Sequence, residues 1–526
     1  MSDLEFEKAP AGGLAIVADE IFNSLAAHFP VCMSSDEFHF FPQFKSEGHD
    51  WSSWDDFSPD GVADIARRIV SWRKTLCAAP QEQPAGELAV EIAVLDRILS
   101  TLLEQLQKVQ PHRFQPTFCL TVAAVGIAEA VQSGRQQLDR RLQGLPRFLD
   151  QVLIDTPGIP NLFAQLGHEM IIKLRDWLTG LSKISNGTGP ALAALDRLQS
   201  RLNRTEKKEN FQLPPDLYAV IAKDHIGCGM SLRETREELQ KEIDETEEIL
   251  TREALAASPR ATWPEVIARL PRPATGPEGL IGLYREAIEQ LGAHCADMRF
   301  LPRALLTSCP VEVTPVPEYL TPVRSAAAYS MPPGHPPAGG TFYITEAGDA
   351  QEAPLDFRLL AAHETFPGHH LLDLSRWSLT RTIRRHIELP IFYEGWASFS
   401  EEILFDTRFF SGATDRMLMA KRRYWRAIRG MTDLDLHSGK RSLTEAIDFL
   451  KEAGMTRQAA AAMARRYALK PGYQLCYTIG RRKFKDLYGR FLDSGQTTTD
   501  FVTSVLSVGE IGFDHLLQSI MNKAVE

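Results

Sequence analysis

Apolar residues recur at helical spacing through most of the first half of the chain. Within residues 87–110 they fall every three or four positions, at Leu88, Ile92, Leu95, Ile98, Leu99, Leu102 and Leu106. A stripe with this period covers one face of an amphipathic helix. Residues 231–254 show the same stripe among many Glu, Lys and Arg residues, which predicts a second long helix with an exposed charged face. Residues 12–256 therefore predict successive helices, with breaks at Asn186-Gly187 and Leu213-Pro214-Pro215.

The pattern changes between residues 300 and 354, where prolines cluster and β-branched residues lie between them. Residues 311–315 and 340–346 are typical of short strands. Because proline restricts strands to sheet edges, we expect a small edge sheet here, followed by helices from Phe357 onward. The sequence thus predicts a mostly α-helical protein with two regions. The first is an N-terminal helical region at 1–210, and the second is a helical region at 211–526 with a small sheet at about 310–347.

The composition is that of a globular protein, with 44% hydrophobic and 24% charged residues. A formal charge of −10 and a pI near 5.8 argue against a nucleic-acid partner, which requires a basic patch. The short basic runs Lys421-Arg422-Arg423 and Arg481-Arg482-Lys483 lie in helical patterns. We expect both runs to be solvated helix faces.

The seven cysteines are scattered and form no CxxC pair, which predicts reduced thiols rather than disulfides or a cysteine-bound metal. Residues 1–10 are acidic and lead into no signal-like apolar run. No uninterrupted apolar stretch reaches membrane-spanning length. We therefore expect a cytoplasmic protein with no membrane partner. The sequence does not indicate an oligomeric state.

The candidate chemistry lies in His363-Glu364-Thr365-Phe366-Pro367-Gly368-His369-His370. In the metalloprotease motif H-E-x-x-H, two histidines bind zinc and the glutamate activates water. Here the next histidines follow His363 by six and seven positions rather than four. A kink at Pro367-Gly368 would absorb two residues and favour His369 as the second ligand, whereas a straighter helix would favour His370. Three histidines and a glutamate in eight residues predict a metal site.

A third ligand is expected from a following helix. Glu394 lies 30 residues after Glu364, and the adjacent Gly395 permits close approach of the two helices. Glu401 and Glu402, two turns further on, are either partners of the ligands or plain surface residues. Two histidines and one glutamate leave a fourth position open for water, as in catalytic zinc sites. The same ligands also suit manganese or cobalt.

These motifs resemble a bacterial family known as domain of unknown function 885. The resemblance rests on the His363–His370 segment and on Glu394-Gly395-Trp396-Ala397. It extends over most of residues 320–520, through Ala328-Tyr329, Gly339-Gly340-Thr341-Phe342-Tyr343, Asp433 to His437, Arg466-Tyr467, Pro471-Gly472, Tyr477 and Gly480. The family usually has glycine in place of Asp435 and glutamine in place of Tyr473. These departures bear on the shape of the substrate pocket rather than on the metal.

The expected metal site of this family is similar to that of helical zinc carboxypeptidases, including carboxypeptidase Taq and angiotensin-converting enzyme. The resemblance implies a large helical body with a deep cleft, and peptide-like or amide substrates. It also implies His437 and Tyr477 as donors to a tetrahedral oxyanion. A packed aromatic residue is the alternative interpretation of Tyr477, and a helix-end cap that of His437.

Two features are candidates for substrate binding. The strand at 340–344, which includes Tyr343, could pair with an extended substrate through an open edge. Arg466 could bind a substrate carboxylate, with a structural ion pair as the alternative.

We therefore expect a zinc-dependent hydrolase of peptide or peptide-like amide bonds, with Glu364 as the general base. One alternative is a metal-dependent reaction on a non-peptide natural product. Another is a metal-containing binding protein without turnover, against which the glutamate beside a ligand argues. The sequence identifies neither the substrate nor whether cleavage is internal or terminal.

Overall fold

The fold is described from a computed structural model, which defines residues 12–45, 52–78, 86–276, 278–316, 328–331, 338–344 and 353–525. The protein is mostly α-helical, which confirms the predicted fold class. In the first part of the chain the helices are α1 (Gly12–His28), α2 (Pro59–Ala78), α3 (Glu87–Glu104), α4 (Pro111–Phe114), α5 (Pro116–Ser133), α6 (Arg135–Asp150), α7 (Asn161–Leu181) and α8 (Thr188–Arg204).

The helices continue after residue 210, on both sides of the small sheet in the sequence. They are α9 (Pro215–Val220), α10 (Leu232–Ala257), α11 (Trp263–Ala268), α12 (Gly279–Asp297), α13 (Leu305–Ser308), α14 (Phe357–Glu364), α15 (His369–Arg376), α16 (Pro390–Asp406), α17 (Ala413–His437), α18 (Leu443–Glu452), α19 (Arg457–Tyr467), α20 (Leu475–Asp493), α21 (Thr498–Val508) and α22 (Phe513–Val525).

The two long helices predicted from periodicity are present. The predicted helix at 87–110 is α3, extended by a π-helical turn at Gln105–Val109. The second is α10, which begins after Ser231 because the Ser231 side chain accepts a hydrogen bond from the Glu234 amide at 3.2 Å. Serine at this position satisfies one of the free amides of a helix start.

The predicted sheet has three strands among the described residues, β3 (Val311–Pro315), β4 (Ala328–Ser330) and β5 (Gly340–Ile344). A separate pair, β1 (Ile159–Pro160) and β2 (Lys207–Lys208), is parallel. In the larger sheet β5 lies in the middle, parallel to β3 and antiparallel to β4. The prediction that 340–344 has an open edge is therefore wrong, because both of its edges are hydrogen-bonded. Residues 345–347 of the predicted sheet region lie outside the described residues.

Two hydrophobic cores hold the helices together, and both include residues from either side of position 210. One joins Phe22 and Leu195 to Phe392 and Phe484, and the other joins Leu162 to later helices. The division into regions at 1–210 and 211–526 stays a sequence prediction. Helix α5 is long and apolar enough to cross a membrane, but 67% of the 18-residue window that qualifies is buried in the fold. A core helix has the same composition, so the composition of α5 is weak evidence for a membrane span.

The prediction that the two basic runs are solvated faces is wrong for several of their arginines. Arg423 and Arg481 pair with Glu242 of α10, a side chain that is fully buried. Arg422 pairs with Glu401 at 3.1 Å. Helical periodicity did not reveal this, because the partner carboxylates come from distant parts of the chain.

Close packing of α16 against α20 sets the position of one wall of the site. Gly395 and Gly480 lie at the crossing, where a Cβ added to Gly395 would be 2.6 Å from the Gly480 Cα. Only glycine at both positions allows the two backbones to approach this closely. The contact places Glu394, adjacent to Gly395, opposite the first turn of α20.

Candidate metal centre

The His363–His370 segment is two helices rather than one kinked helix. Helix α14 ends at Glu364 and α15 begins at His369. Between them the Gly368 amide donates to the Ala362 carbonyl at 3.1 Å, and a Cβ at Gly368 would lie 1.9 Å from the His363 oxygen. The Pro367 carbonyl accepts a hydrogen bond from the Trp396 indole at 3.0 Å. The break therefore turns the chain so that His369 faces back toward His363.

His363, His369 and Glu394 converge on one point. Glu394 Oε2 lies 3.5 Å from Nε2 of His363 and 3.5 Å from Nε2 of His369, and the candidate ligand atoms all lie within 4.8 Å of one another. Donors about 2.0–2.1 Å from a tetrahedral ion are separated by about 3.3 Å. The spacing of these three side chains therefore fits a divalent metal.

His370, the alternative second ligand, lies apart from this cluster. Its Nδ1 is 2.9 Å from the Tyr329 hydroxyl and its Nε2 is 3.1 Å from the Cys309 carbonyl. Both ring nitrogens are thus engaged in hydrogen bonds within a buried site. Burial lowers the pKa of His370 to about 4, so the ring is neutral at physiological pH.

The two oxygens of Glu394 have different surroundings. Oε1 accepts hydrogen bonds from the Tyr473 and Tyr477 hydroxyls, each at 2.9 Å. Oε2 is buried and has no hydrogen-bond partner among the described residues. A buried carboxylate oxygen without a donor is costly unless a cation or proton compensates it. The orphaned oxygen between two imidazoles is the feature that fits a bound metal.

Burial and neighbouring charges set the protonation states around Glu394. Burial opposes ionisation of Glu394, but the neighbouring rings of His363 and His369 hold the pKa of this carboxyl well below its usual range. Burial and the nearby Glu394 charge raise the pKa values of Tyr473 and Tyr477 above that of an ordinary tyrosine. Glu394 is therefore an ionised acceptor between two neutral phenols.

The other side of the His363 ring contacts a second carboxylate of α16. His363 Nδ1 lies 3.2 Å from Oε1 of Glu401, which is fully buried and paired with Arg422 and Arg426. Burial opposes ionisation, but these two arginines hold the pKa of Glu401 well below its usual range. An imidazole that binds metal through Nε2 carries its proton on Nδ1, and a carboxylate there fixes the ring. Glu402 instead pairs with Arg481 and Lys485.

Glu364 lies beside the cluster without belonging to it. One of its oxygens, Oε2, accepts a hydrogen bond from the Tyr329 amide of β4 at 3.0 Å. The residue lines the cavity into which His363, His369 and Glu394 also open. This strand amide orients the carboxylate through one of its two oxygens.

The cavity has a volume of about 600 Å³, within the range of small-molecule sites. Its walls combine the candidate ligands with tyrosines and several cationic residues. Arg429 contacts Gln474 at 2.6 Å and lies over the Tyr477 ring at 4.6 Å. Arg466 also lines the cavity. The alternative interpretation of Arg466 was a structural ion pair, and it forms none with another described residue.

Two of the predicted site residues lie elsewhere. His437 ends α17 with its Nε2 3.1 Å from the Tyr467 carbonyl, and its ring packs against Tyr218. Tyr343 is buried against Ala128 in a small cluster away from the cavity. Neither lines the cavity of the candidate centre, as far as the described residues define it. Both were placed by resemblance or by strand prediction, which carry no distance information.

The two departures from the family pattern differ in their relation to the site. Tyr473 donates directly to Glu394, so its hydroxyl helps to hold a candidate ligand. Asp435 is buried beside Arg236 and Arg441, which lie outside the cavity walls. Sequence reasoning did not identify the role of Tyr473, because only the fold brings it to Glu394.

Comparisons with known proteins place the chain by family and fold. A family described as bacterial protein of unknown function (DUF885) matches residues 129–520. No curated protein matches the sequence. A candidate lipoprotein from Colwellia psychrerythraea has a similar structure, with a TM-score of 0.79, 16% identity, and coverage of 98% of this chain and 99% of the other. A candidate lipoprotein of unknown function from Shewanella oneidensis gives a TM-score of 0.74, 14% identity, and coverage of 98% and 100%. At these identities the similarity shows the fold alone.

Proposed function

The chain belongs to the DUF885 family of bacterial proteins of unknown function, and we propose that it is a zinc-dependent hydrolase of peptide or peptide-like amide bonds. The observation that carries the proposal is the buried Oε2 of Glu394, which has no hydrogen-bond partner in the described part of the chain and lies 3.5 Å from two imidazole nitrogens. Two histidines and a carboxylate are a ligand set of catalytic zinc sites. Manganese and cobalt suit the same donors.

His363, His369 and Glu394 would hold the metal. When bound, such an ion supplies Lewis acidity toward a carbonyl and lowers the pKa of water. Glu401 fixes the His363 ring through Nδ1. Tyr473 and Tyr477 fix Glu394 by donating hydrogen bonds to its Oε1. The ligands are therefore held in place before any substrate enters.

Glu364 is the proposed general base. It directly follows a candidate ligand in the chain and lines the same cavity, while the Tyr329 amide orients one of its oxygens. In amide hydrolysis it would accept a proton from the attacking water and return it to the leaving nitrogen. The carbonyl carbon gains the hydroxyl as the C–N bond breaks. A protein that only binds metal has no need of such a base.

Tyr477 has a positioning role in this proposal. Its hydroxyl donates to Glu394 rather than into the open cavity. Donation to a tetrahedral oxyanion stays a prediction, since it requires the hydroxyl to leave that carboxylate. Arg429 and Arg466 bring positive charge to the same cavity and suit a substrate with a carboxylate.

The cellular location stays a prediction. Cysteine usage favours the cytoplasm, whereas two structurally similar proteins are described as candidate lipoproteins. A similarity of fold at 14–16% identity carries no location across. Fractionation of the native cell, followed by detection of the full-length protein, decides between cytoplasm and membrane.

The function itself is tested by metal removal and restoration. We expect a mixture of synthetic peptides and N-acylated amino acids to be cleaved by the zinc-loaded protein and spared after chelation. Readdition of zinc should restore cleavage. If the loaded protein cleaves no amide in such a mixture, or if chelation leaves cleavage unchanged, the proposal is wrong.

A further inference from the structure

A second cavity lies beside the one that contains the candidate metal centre. It has a volume of about 400 Å³, and Glu37, Arg466 and Lys470 line both cavities. This volume is also in the range of small-molecule sites. The two cavities therefore adjoin at these three residues.

The wall of the second cavity is partly apolar, although buried polar residues such as Gln105 and Thr117 also line it. Phe38, Phe118 and Ile221 are buried in its wall, at 3%, 9% and 2% exposure. Leu166 and Met170 of α7 line it as half-buried side chains. Displacement of water from such a surface by an apolar group lowers the free energy of the system.

The rim of the second cavity carries excess positive charge. Its four cations are Lys173, Arg465, Arg466 and Lys470, and its two carboxylates are Glu37 and Glu169. Arg465 pairs with Glu169 at 2.5 Å, and Lys470 lies 4.0 Å from Glu37. Lys173 and Arg466 have no ion-pair partner within the described ranges. The rim therefore favours a ligand with a negative group.

A histidine connects this cavity to the candidate metal centre. His39 lines the second cavity, and its Nδ1 is buried with no hydrogen-bond partner among residues that the structure describes. Its ring lies 4.8 Å from that of Tyr473, whose hydroxyl holds Glu394. Two side chains thus separate the second cavity from the Glu394 carboxylate. An unpartnered polar atom in a cavity wall indicates a position for a ligand or ordered water.

We propose that the second cavity binds an apolar group of the substrate, while Arg466 and Lys470 at the junction bind an anionic group of the same molecule. The substrate class is an amphiphilic amide, an N-acylated amino acid or peptide with a long apolar acyl chain and a carboxylate. This inference rests on the proposed function of the neighbouring site. The cavity, the charged rim and the shared residues carry it.

Binding is tested first, because it needs no turnover. The probe is the anionic dye 8-anilinonaphthalene-1-sulfonate, displaced by dodecanoate and, as a short-chain comparison, by acetate. Met170→Trp fills the cavity, and Ala462→Phe narrows its rim at an exposed position. Ile172→Trp is the matched control, since Ile172 lies on the same helix as Met170 but is 56% exposed and lines neither cavity.

We expect dodecanoate to displace the dye from the wild type and from Ile172→Trp, and acetate to fail. At least one cavity variant should raise the dodecanoate Kd about tenfold or more, a loss near 1.4 kcal/mol. A Kd within about twofold of wild type in both cavity variants overturns the proposal. A similar loss of dodecanoate affinity in Ile172→Trp also overturns the proposal, as does the absence of dodecanoate binding by the wild type. Circular dichroism confirms that each variant is folded.

Hydrolysis is tested second, with zinc-loaded protein and N-acyl amino acids from acetyl to dodecanoyl. We expect kcat/KM to rise with chain length, and the dodecanoyl-to-acetyl ratio to fall in the cavity variants. A flat series with good turnover overturns the substrate class. If no amide is cleaved although dodecanoate binding behaves as expected, the proposed function fails and the binding site stands.

Discussion

His363 lies between two carboxylates of a single helix, with Glu394 Oε2 3.5 Å from its Nε2 and Glu401 Oε1 3.2 Å from its Nδ1. The two glutamates are seven positions apart on α16, so they lie on the same face two turns from each other. One helix therefore supplies a candidate metal ligand and the group that orients a second ligand. Arg422 and Arg426 keep the orienting carboxylate charged.

Removal of the orienting charge is expected to weaken metal binding without abolishing it. Glu401→Gln keeps the shape of the side chain but removes the charge that fixes His363, and we expect a loss of about 10- to 100-fold in zinc affinity. Competition with a chromogenic chelator measures the affinity. Glu402→Gln is the matched control, because this neighbour pairs with Arg481 and Lys485 instead. Equal affinities in the two variants would contradict the role of Glu401.

The proposed role of Glu364 as general base is tested by measuring activity and metal content separately. In Glu364→Gln the amide cannot accept the proton of water, so we expect kcat to fall by about 10²- to 10⁴-fold. Zinc content should stay at the wild-type value, since Glu364 is not among the converging ligand atoms. Full activity in this variant, measured on any amide that the wild type cleaves, would show that another group is the base.

The break between α14 and α15 depends on a residue without a side chain. In Gly368→Ala the new Cβ would lie 1.9 Å from the His363 oxygen, so the backbone must shift. We expect a loss of about 3 kcal/mol or more in the free energy of unfolding, together with reduced zinc binding. Chemical denaturation measures the loss. Gly180→Ala on α7 is the control, because nothing lies within 4 Å of its added Cβ. Wild-type stability in Gly368→Ala would contradict the described backbone.

Acid is expected to destabilise the protein in part through His437. Burial lowers its pKa to about 4, against about 6.5 in the unfolded chain. The folded state disfavours the protonated ring. The contribution of neutral His437 to the free energy of unfolding is therefore fully present above pH 6.5 and is lost as the pH decreases from 6.5 through 4. The linked loss is about 3 kcal/mol.

His437→Gln removes this titration. Urea unfolding at pH 7 and pH 4 should show that the variant loses about 3 kcal/mol less than the wild type on acidification. Each protein is compared with its own value at pH 7, so a change in baseline stability does not affect the result. The same acid-induced loss in both proteins would contradict the buried neutral state of His437.

The sequence predicted those parts of the fold that have a local signal. Helical periodicity located α3 and α10, and the strands β3 and β5 were predicted from their composition. The β4 strand and the central place of β5 were missed, because strand order depends on pairing between distant residues. The ion pairs of Arg422 and Arg481 were missed for the same reason.

For the candidate site, the sequence predicted which residues converge better than it predicted their arrangement. His363, His369 and Glu394 converge in the structure, but spacing alone left His369 and His370 open. The choice depends on the new helix start at His369, which a periodic pattern cannot show. Glu401 and Tyr473 touch the candidate ligands only through tertiary packing, and His437 lies outside the cavity although the resemblance placed it inside.

The central claim is that His363, His369 and Glu394 bind one divalent metal. Elemental analysis of purified, zinc-equilibrated protein tests it most directly, with folding of each variant checked by circular dichroism. We predict about one zinc per wild-type chain, its loss in His363→Ala, His369→Ala and Glu394→Ala, and its retention in His370→Ala. Full zinc retention in His363→Ala and Glu394→Ala would contradict the site, and loss in His370→Ala with retention in His369→Ala would contradict the ligand assignment.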